Sequence, residues 1–183
     1  MKATDILIDE HGVIQRVIAA LEIAAQRTEQ GQSLNPDFFI DAADFIKGFA
    51  DGCHHQKEEG VLFKAMEAHG MPAESGPIGV MLAEHEQGRA YTRAMREAAQ
   101  KLKGGDETAR QAVVLNARGY AGLLRQHISK ENDILFPMAN RVIPRAEHDQ
   151  VDAGFEHVEH EETGAGVHEK YLALAEKLES EVR

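Results

Sequence analysis

Two stretches of this chain repeat each other, and this repeat restricts the possible fold more than any other feature. Residues 54–63 read HHQKEEGVLF and residues 127–136 read HISKENDILF, so each copy holds a His-x-x-Lys-Glu motif followed by Leu-Phe. A Glu-His pair precedes each copy: His11 stands 43 residues before the first copy, and His85 stands 42 residues before the second. The matching distances predict two similar helical hairpins, each with one histidine on its first helix and a His-x-x-x-Glu pair on its second.

Helix-breaking residues divide the chain into five helical stretches. Glycines at positions 31, 70, 104 and 105 follow the first three stretches, and Pro144 follows the fourth. The predicted helices cover approximately residues 4–30, 36–68, 77–103, 106–143 and 146–183. No alternating strand pattern separates them. We therefore predict an all-α fold, an up-and-down four-helix bundle over residues 1–143. An additional C-terminal helix in residues 144–183 should pack on or beside the bundle, within the same domain.

The histidines and glutamates of the repeat fall on the apolar faces of their predicted helices. Side chains four residues apart on a helix lie one above the other, so His54 and Glu58 interrupt one apolar row. The neighbouring pair, His55 and Glu59, has the same spacing, but only the first pair aligns with the second copy of the motif. Six side chains are therefore predicted to point into one core as metal ligands: His11, His54, Glu58, His85, His127 and Glu131.

A pair of metal ions accommodates such a group best. An unpaired buried carboxylate costs several kcal/mol, and a shared cation offsets that cost while neutral imidazoles donate their lone pairs. Four histidines and two glutamates divide into two metals, each with two histidines and bridged by both carboxylates. Such ligands suit iron, manganese or zinc, and spare positions for oxygen-derived ligands favour two iron ions. The remaining positive charge would be completed by an oxo or hydroxo bridge.

The motifs and their spacing resemble the hemerythrin-like family with its HHE cation-binding domain, over about residues 4–140. The resemblance implies a four-helix bundle with a non-haem di-iron centre that acts in O2, NO or H2O2 chemistry, in iron handling or in sensing. Two departures matter. Oxygen-carrying members have a His-x-x-x-His pair on the third helix, but here Arg89 follows His85 at that spacing. Their last carboxylate is an aspartate five residues after its histidine, whereas Glu131 follows His127 at four. These departures favour reaction or sensing over oxygen carriage.

Three further residues are weaker candidates for ligands or for groups that orient ligands. Glu161 and His168 share one face of the predicted C-terminal helix with Gly164, where close backbone approach to the bundle would bring them near the centre. The alternative is a solvated amphipathic helix. Arg89 lies one turn beyond His85 and would orient a carboxylate or an anionic oxidant, with an ordinary surface arginine as the alternative.

Neighbours of the motif receive more ordinary interpretations. His55 and Glu59 are expected beside the site or on its rim. Cys53 is expected to be a small core residue. As the only cysteine, it rules out an intramolecular disulfide and favours a reducing compartment.

Charge and hydropathy restrict location and partners. The chain has 31 acidic residues against 20 Lys and Arg, a formal charge of −11, which disfavours nucleic acid and anionic lipid. No apolar run approaches the ~20 residues that a membrane span needs, and the N-terminal residues do not form a secretory segment. We expect a cytoplasmic protein whose ligand is a small oxidant. A homodimer or an electron donor stays open as a further partner.

Two functional classes remain after comparison of motif spacings. The leading one is a di-iron protein that binds or reacts with O2, NO or H2O2 as a sensor, store or detoxifying oxidoreductase. Ferritin-like oxidases use Glu-x-x-His, and zinc hydrolases of one large class use His-Glu-x-x-His, and neither string occurs here. A non-enzymatic metal-binding or iron-handling module, in which the site is mainly structural, remains the alternative.

Overall fold

The computed structural model describes residues 1–32, 34–164 and 166–183, except for the side chain of residue 162. Over these ranges the chain is helical and contains no strand, so the all-α prediction is confirmed. The helices are α1 (Lys2–Glu29), α2 (residues 37–68), α3 (Gly76–Lys103), α4 (residues 110–142), α5 (residues 148–163) and α6 (Val167–Glu181). None of them combines the length and the apolar character that a bilayer crossing requires.

The first four helices form an up-and-down bundle. Helix α4 packs against both α3 and α1, and α2 packs against α3. Short connections reverse the chain between successive helices, which makes sequential neighbours antiparallel. Helices α5 and α6 lie over the side formed by α1 and α2. On the neighbouring side, between α2 and α3, a cleft opens.

Glycine ends the helices where the sequence predicts it. Gly31 follows α1 with φ +71°, Gly70 follows α2 with φ +89°, and Gly105 follows α3 with φ +95°. A residue with a β-carbon avoids these left-handed conformations, so glycine stops a helix at low energetic cost. Asp106 opens the next segment and accepts a hydrogen bond from the backbone N–H of Thr108.

The C-terminal part differs from the single helix that the sequence predicts. Gly164 has φ +98° and Gly166 has φ +80°, conformations that an α-helix cannot continue through. They separate α5 from α6. The close backbone approach expected in this part of the chain lies on the bundle itself, at Gly48 of α2, where the ring of Tyr171 occupies the space of a β-carbon.

The apolar core is divided into two layers. One layer includes Ile18 and Phe49, and the other includes Leu7 and Leu135. The histidines and glutamates of the repeat lie between these layers on all four bundle helices. A polar layer enclosed in this way is shielded from water, so its groups must satisfy one another or a bound ion.

Helices α2 and α4 contain π-helical turns at the level of the polar layer. In α2 they are Ile46–His55 and Glu58–Leu62, and in α4 the turn is Glu131–Leu135. A π turn adds one residue to the helical repeat and shifts the direction of the side chains around it, often at functional sites. Glu58 and Glu131 each begin such a turn. The turn Ile46–His55 has no counterpart in α4, which is α-helical over Arg110–Lys130.

Candidate metal centre

All six predicted ligands meet in the polar layer of the bundle. Helices α1 and α3 each contribute one histidine, and α2 and α4 each contribute one histidine and one glutamate. Every one of the six side chains is buried, with at most 1% of the residue exposed. Their arrangement follows the pseudo-twofold symmetry that the repeat predicts.

Glu131 links one histidine from each half of the bundle. Its Oε2 lies 3.2 Å from Nε2 of His11, and its Oε1 lies 3.0 Å from Nε2 of His127. The two oxygens of one carboxylate thus face two different imidazoles. This is the geometry that a bridging carboxylate needs.

Glu58 occupies the equivalent position in the other half. Its Oε1 lies 3.6 Å from Nε2 of His54, and its Oε2 lies 3.4 Å from Nε2 of His85. The donor atoms form two groups that share Glu58, and within each group they lie within 4.8 Å of one another. One group is His11, His54, Glu58 and Glu131, and the other is His55, Glu58, His85 and His127.

His55 lies inside the second group, although the sequence places it beside the site or on the rim. It is buried, and its ring stacks on that of His85 with centroids 3.8 Å apart. The repeat aligns His55 with Ile128, and this alignment argued against His55 as a metal ligand. The π turn Ile46–His55 exists only in α2, and it turns this extra side chain inward. Arg89 stands where oxygen-carrying members of the family have a histidine. This was the one feature of the sequence that pointed to a further imidazole from another position.

The inward-facing atoms of the two donor groups are suited to bind a cation. In the part of the chain that the structure describes, Nε2 of His11 and His55 and all four oxygens of Glu58 and Glu131 are buried without a hydrogen-bond partner. Nε2 of His85 faces Nε2 of His127 at 3.1 Å. Buried polar atoms rarely lack partners in native proteins. Two anionic carboxylates and converging imidazole lone pairs form a donor set that fits transition-metal ions.

Comparison with known proteins agrees with this geometry. The family model of the hemerythrin HHE cation-binding domain matches residues 2–139. The chain belongs to this hemerythrin family. Helices α5 and α6 lie outside the matched residues.

Two mycobacterial relatives extend the comparison. Uncharacterized proteins from Mycobacterium bovis and Mycobacterium tuberculosis are each 24% identical to this hemerythrin domain protein over 162 residues. The aligned region covers 88% of this chain and 63% of theirs, so the chain spans about 63% of the length of these curated relatives. No solved structure matches.

Carboxylates on the outer side of the hemerythrin site orient its histidines. Nδ1–H of His54 donates to Oε2 of Glu10 at 2.9 Å, and Lys57 also contacts this carboxylate. Because a carboxylate only accepts, the proton belongs on Nδ1, and the Nε2 lone pair points inward. The second half repeats this arrangement with Glu84, His127 and Lys130. The repeated spacing of Glu-His and His-x-x-Lys-Glu therefore has a structural reason beyond the ligands themselves, and this orienting role was missed at the level of sequence.

The residue after each acidic ligand holds a histidine of the other hairpin. Nδ1–H of His85 donates to Oε1 of Glu59 at 2.7 Å, and Nδ1–H of His11 donates to Oδ1 of Asn132 at 2.8 Å. Glu59 is therefore part of the support of the site. Its carboxylate makes the environment of His85 more negative than that of His11, whose acceptor is a neutral amide.

Arg89 lies outside the donor groups and holds the carboxylates behind them. Its guanidinium donates to Asp51 and to Glu59, both at 2.8 Å. Asp51 in turn accepts from Nδ1–H of His55 at 3.4 Å. Burial acts to raise the pKa of Asp51, but the hydrogen bonds from His55 and Arg89 outweigh it and hold the pKa well below its usual range.

The two tail residues proposed as weaker candidates do not join either group. Glu161 is exposed, and the break after α5 places it on a different helix from His168. His168 packs against Phe49, with ring centroids 5.2 Å apart, and lies near Glu10 and Cys53. His168 therefore lies near Glu10, which orients His54, and it lies outside the two donor groups.

The pKa values show how strongly the carboxylates act on the histidines. Burial lowers the pKa of His85, but hydrogen bonds to Glu58 and Glu59 outweigh it and raise the pKa to about 9. For His55, burial and the positive charge of His85 hold the pKa well below its usual range. Burial acts to raise the pKa of Glu131, but the facing imidazoles lower it strongly. The raised pKa values of His11, His85 and His127 and the lowered pKa of Glu131 thus have the same cause, the close contact of imidazoles with carboxylates.

Proposed function

We propose that this hemerythrin domain protein holds two iron ions and binds or reacts with a small oxidant, O2, NO or H2O2, as a sensor, a store or a detoxifying oxidoreductase. The observation that carries the proposal is the convergence of seven buried donor side chains, four of which (His11, His55, Glu58 and Glu131) have inward atoms without a hydrogen-bond partner in the described structure. Their outward nitrogens are held by carboxylates or an amide, which leaves the inward lone pairs free for metal.

The donors divide unequally between the two ions. We assign His11 and His54 to one ion, and His55, His85 and His127 to the other. Glu58 and Glu131 would supply the carboxylate oxygens of the centre. This set of five histidines differs from the set of four that the sequence predicts. Its fifth member, His55, takes the place of the histidine that Arg89 replaces.

Bound iron would supply the electrons and the Lewis acidity for chemistry with an oxidant. The protein buries the donors and fixes their orientation. Phe136 stacks on His11 and Phe63 stacks on His85, with centroids 5.6 Å and 6.2 Å apart. Both rings come from the Leu-Phe that follows each acidic ligand, so the same motif provides ligand and apolar cover.

A structural role for the metal is the second candidate. All seven donor residues are at most 4% exposed and lie between two apolar layers. A cation in such a place stabilises the bundle whether or not it meets an oxidant. A non-enzymatic iron-handling or metal-binding module is consistent with the same geometry.

Metal analysis followed by spectroscopy separates these functions. Protein purified without added metal should contain about two irons per chain, since two donor groups are present. A single zinc per chain would contradict the di-iron proposal. Optical spectra recorded before and after O2, NO and H2O2 should change if the centre reacts. Spectra that respond to none of the three would leave the structural role as the correct one.

We also propose a reducing location in the cytoplasm. Cys53 is the only cysteine, it is buried, and burial raises the pKa of its thiol, which keeps it protonated. Cell fractionation tests the location. Recovery of the chain from an oxidising compartment would contradict it.

A further inference from the structure

A cleft on the open side of the bundle leads to the metal donors. It has a volume of about 270 Å³ and runs between α2 and α3, with one wall from α4. Along α2 its lining passes from Ala43 to His55, and along the antiparallel α3 it passes from Arg96 to His85. The inner end is therefore closed by two buried histidines of the donor group. The outer end reaches solvent.

The outer end of the cleft is basic, in contrast to the chain as a whole. Four lining residues are Lys or Arg and only Asp51 is acidic, while the chain carries −11. Arg96 is paired with Asp44, and Arg89 is held by its own carboxylates. Lys47 and Arg93 are exposed, and among the described residues neither has an ion-pair partner. Two positively charged side chains without ion-pair partners at the mouth of the cleft attract an anion.

Tyr120 provides a polar group inside the cleft. The residue is 2% exposed, and its hydroxyl finds no hydrogen-bond partner within the ranges that the structure describes. Burial and the charge of Asp51 raise the pKa of Tyr120 far above its usual value, so the hydroxyl stays protonated and acts as a donor. An unsatisfied buried hydroxyl is unfavourable, and an acceptor on a bound molecule would remove that penalty.

The remaining walls are apolar. Ala43 and Ile46 line α2, Gly88 offers bare backbone on α3, and the ring of Tyr120 faces them from α4. The volume equals that of roughly nine water molecules at ~30 Å³ each, which is below the usual range for drug-sized ligands. A small molecule with a compact apolar body fits these dimensions.

We propose that the cleft binds a small organic monocarboxylate with a compact apolar body. Its carboxylate pairs with Lys47 and Arg93 at the mouth, its body packs on Ala43 and Ile46, and an acceptor at its far end receives the Tyr120 hydroxyl. The bound molecule then lies beside His55, between solvent and the metal donors. The proposal rests on the cleft and its charges and holds whichever metal the centre takes.

Calorimetric titration of the full-length protein tests this with defined probes. The probe 4-hydroxybenzoate carries a carboxylate at one end and an oxygen at the other. It should bind once per chain, and neutral 4-hydroxybenzamide should bind about tenfold more weakly because the charged hydrogen bonds are lost. Benzoate should also bind more weakly than 4-hydroxybenzoate, because it offers Tyr120 no acceptor. Inorganic phosphate should bind more weakly than 4-hydroxybenzoate, because it has no apolar body.

Matched variants locate the binding. Arg93→Gln should weaken 4-hydroxybenzoate by about tenfold. Arg125→Gln removes another surface arginine, one that pairs with Glu22 outside the cleft, and should leave binding unchanged. In Tyr120→Phe the difference between benzoate and 4-hydroxybenzoate should disappear. Circular dichroism and metal content are measured for every variant, so a folding defect or a failure of metal loading is recognised separately from a loss of binding.

Four results would overturn the proposal. They are equal affinity for the acid and the amide, phosphate binding as tight as that of 4-hydroxybenzoate, equal losses in the two arginine variants, and no binding of 4-hydroxybenzoate at millimolar concentration. If Tyr120→Phe does not fold, equal affinity for benzoate and 4-hydroxybenzoate in the natural chain would overturn the contact assigned to Tyr120. Iron content has no bearing on these four results, so they do not depend on the fate of the di-iron proposal.

Discussion

The ring of His55 lies nearly parallel to that of His85, 14° from coplanar and 3.8 Å away, while the equivalent position in the other half holds Ile128. The two halves of the bundle are thus symmetric in six donors and asymmetric in the seventh. The asymmetry coincides with the π turn Ile46–His55, which only α2 contains. One ion of the proposed pair should therefore depend on a residue that the repeat does not predict.

His55→Ile, which copies the residue of the other half, tests that dependence. Competition with a chelator should show weaker binding of one of the two irons, because that ion loses one of its three imidazoles. His69→Gln changes a histidine that pairs with Glu147 away from the site and serves as the control. Two irons retained at unchanged affinity in His55→Ile would show that His55 is not a ligand.

Glu84→Gln tests the carboxylates that orient the histidines. The amide of glutamine can still accept from Nδ1 of His127, but it loses the negative charge that makes the imidazole a stronger donor. Metal affinity should fall about 10- to 100-fold, as measured by competition with a chelator. The control is Glu97→Gln, an exposed residue on the same helix. Equal affinity in the two variants would remove the orienting role of Glu84.

Lys57 and Lys130 form a matched pair that separates burial from charge. Each contacts the carboxylate of its own hairpin, but the side chain of Lys57 is 0% exposed and that of Lys130 is 35% exposed. Lys57→Met leaves Glu10 buried without its cation and should lower the free energy of unfolding by about 3–5 kcal/mol. Lys130→Met should cost about 1 kcal/mol or less, since solvent screens that pair. Urea unfolding of the metal-loaded proteins measures both. Similar losses would mean that burial of Lys57 is energetically unimportant.

Removal of the metal should destabilise the fold without unfolding it. One apolar layer remains on each side of the site, and protonated imidazoles can offset the buried charge of Glu131. Each ion contributes roughly 2.7 kcal/mol when free metal is about 100 times Kd. Chelation should therefore lower Tm by on the order of 5–10 °C per ion, and added Fe²⁺ should restore it. A Tm that does not respond to chelator would contradict metal binding at this site.

Much of the fold follows from local residue choices that a sequence displays directly. Glycines stop α1, α2 and α3 because only glycine adopts the left-handed conformation cheaply. The apolar rows put His54 and Glu58 on the inner face because side chains four residues apart share a face. Gly164 and Gly166 are predicted to lie within a helix, yet they have positive φ and end it. A glycine can therefore end a helix or lie within it, and the sequence alone does not distinguish the two cases.

The rest of the site depends on geometry that no local pattern encodes. Alignment of the halves assumes α-helical spacing throughout, and a π turn changes which side chains face inward. That assumption excludes His55. The orienting role of Glu10 was available from sequence, since each half places a Glu-His pair before its motif, but the contact to His54 joins residues of different helices. Arg89 likewise acts through Glu59, a partner on another helix.

Gly48→Ala tests how the C-terminal helices are attached. The ring of Tyr171 occupies the space that a β-carbon at Gly48 would need, so the substitution should push α6 away from α2. We expect the free energy of unfolding to fall by roughly 1–3 kcal/mol and α6 to become more sensitive to proteolysis. Gly12→Ala is the matched control, because a β-carbon at this position would meet nothing within 4 Å, and it should stabilise α1 by roughly 0.5–1 kcal/mol. Adding Tyr171→Ala to Gly48→Ala should recover part of the loss, since the smaller side chain leaves room for the new methyl group. No recovery in the double variant would show that the loss arises within α2 itself and not at its contact with α6.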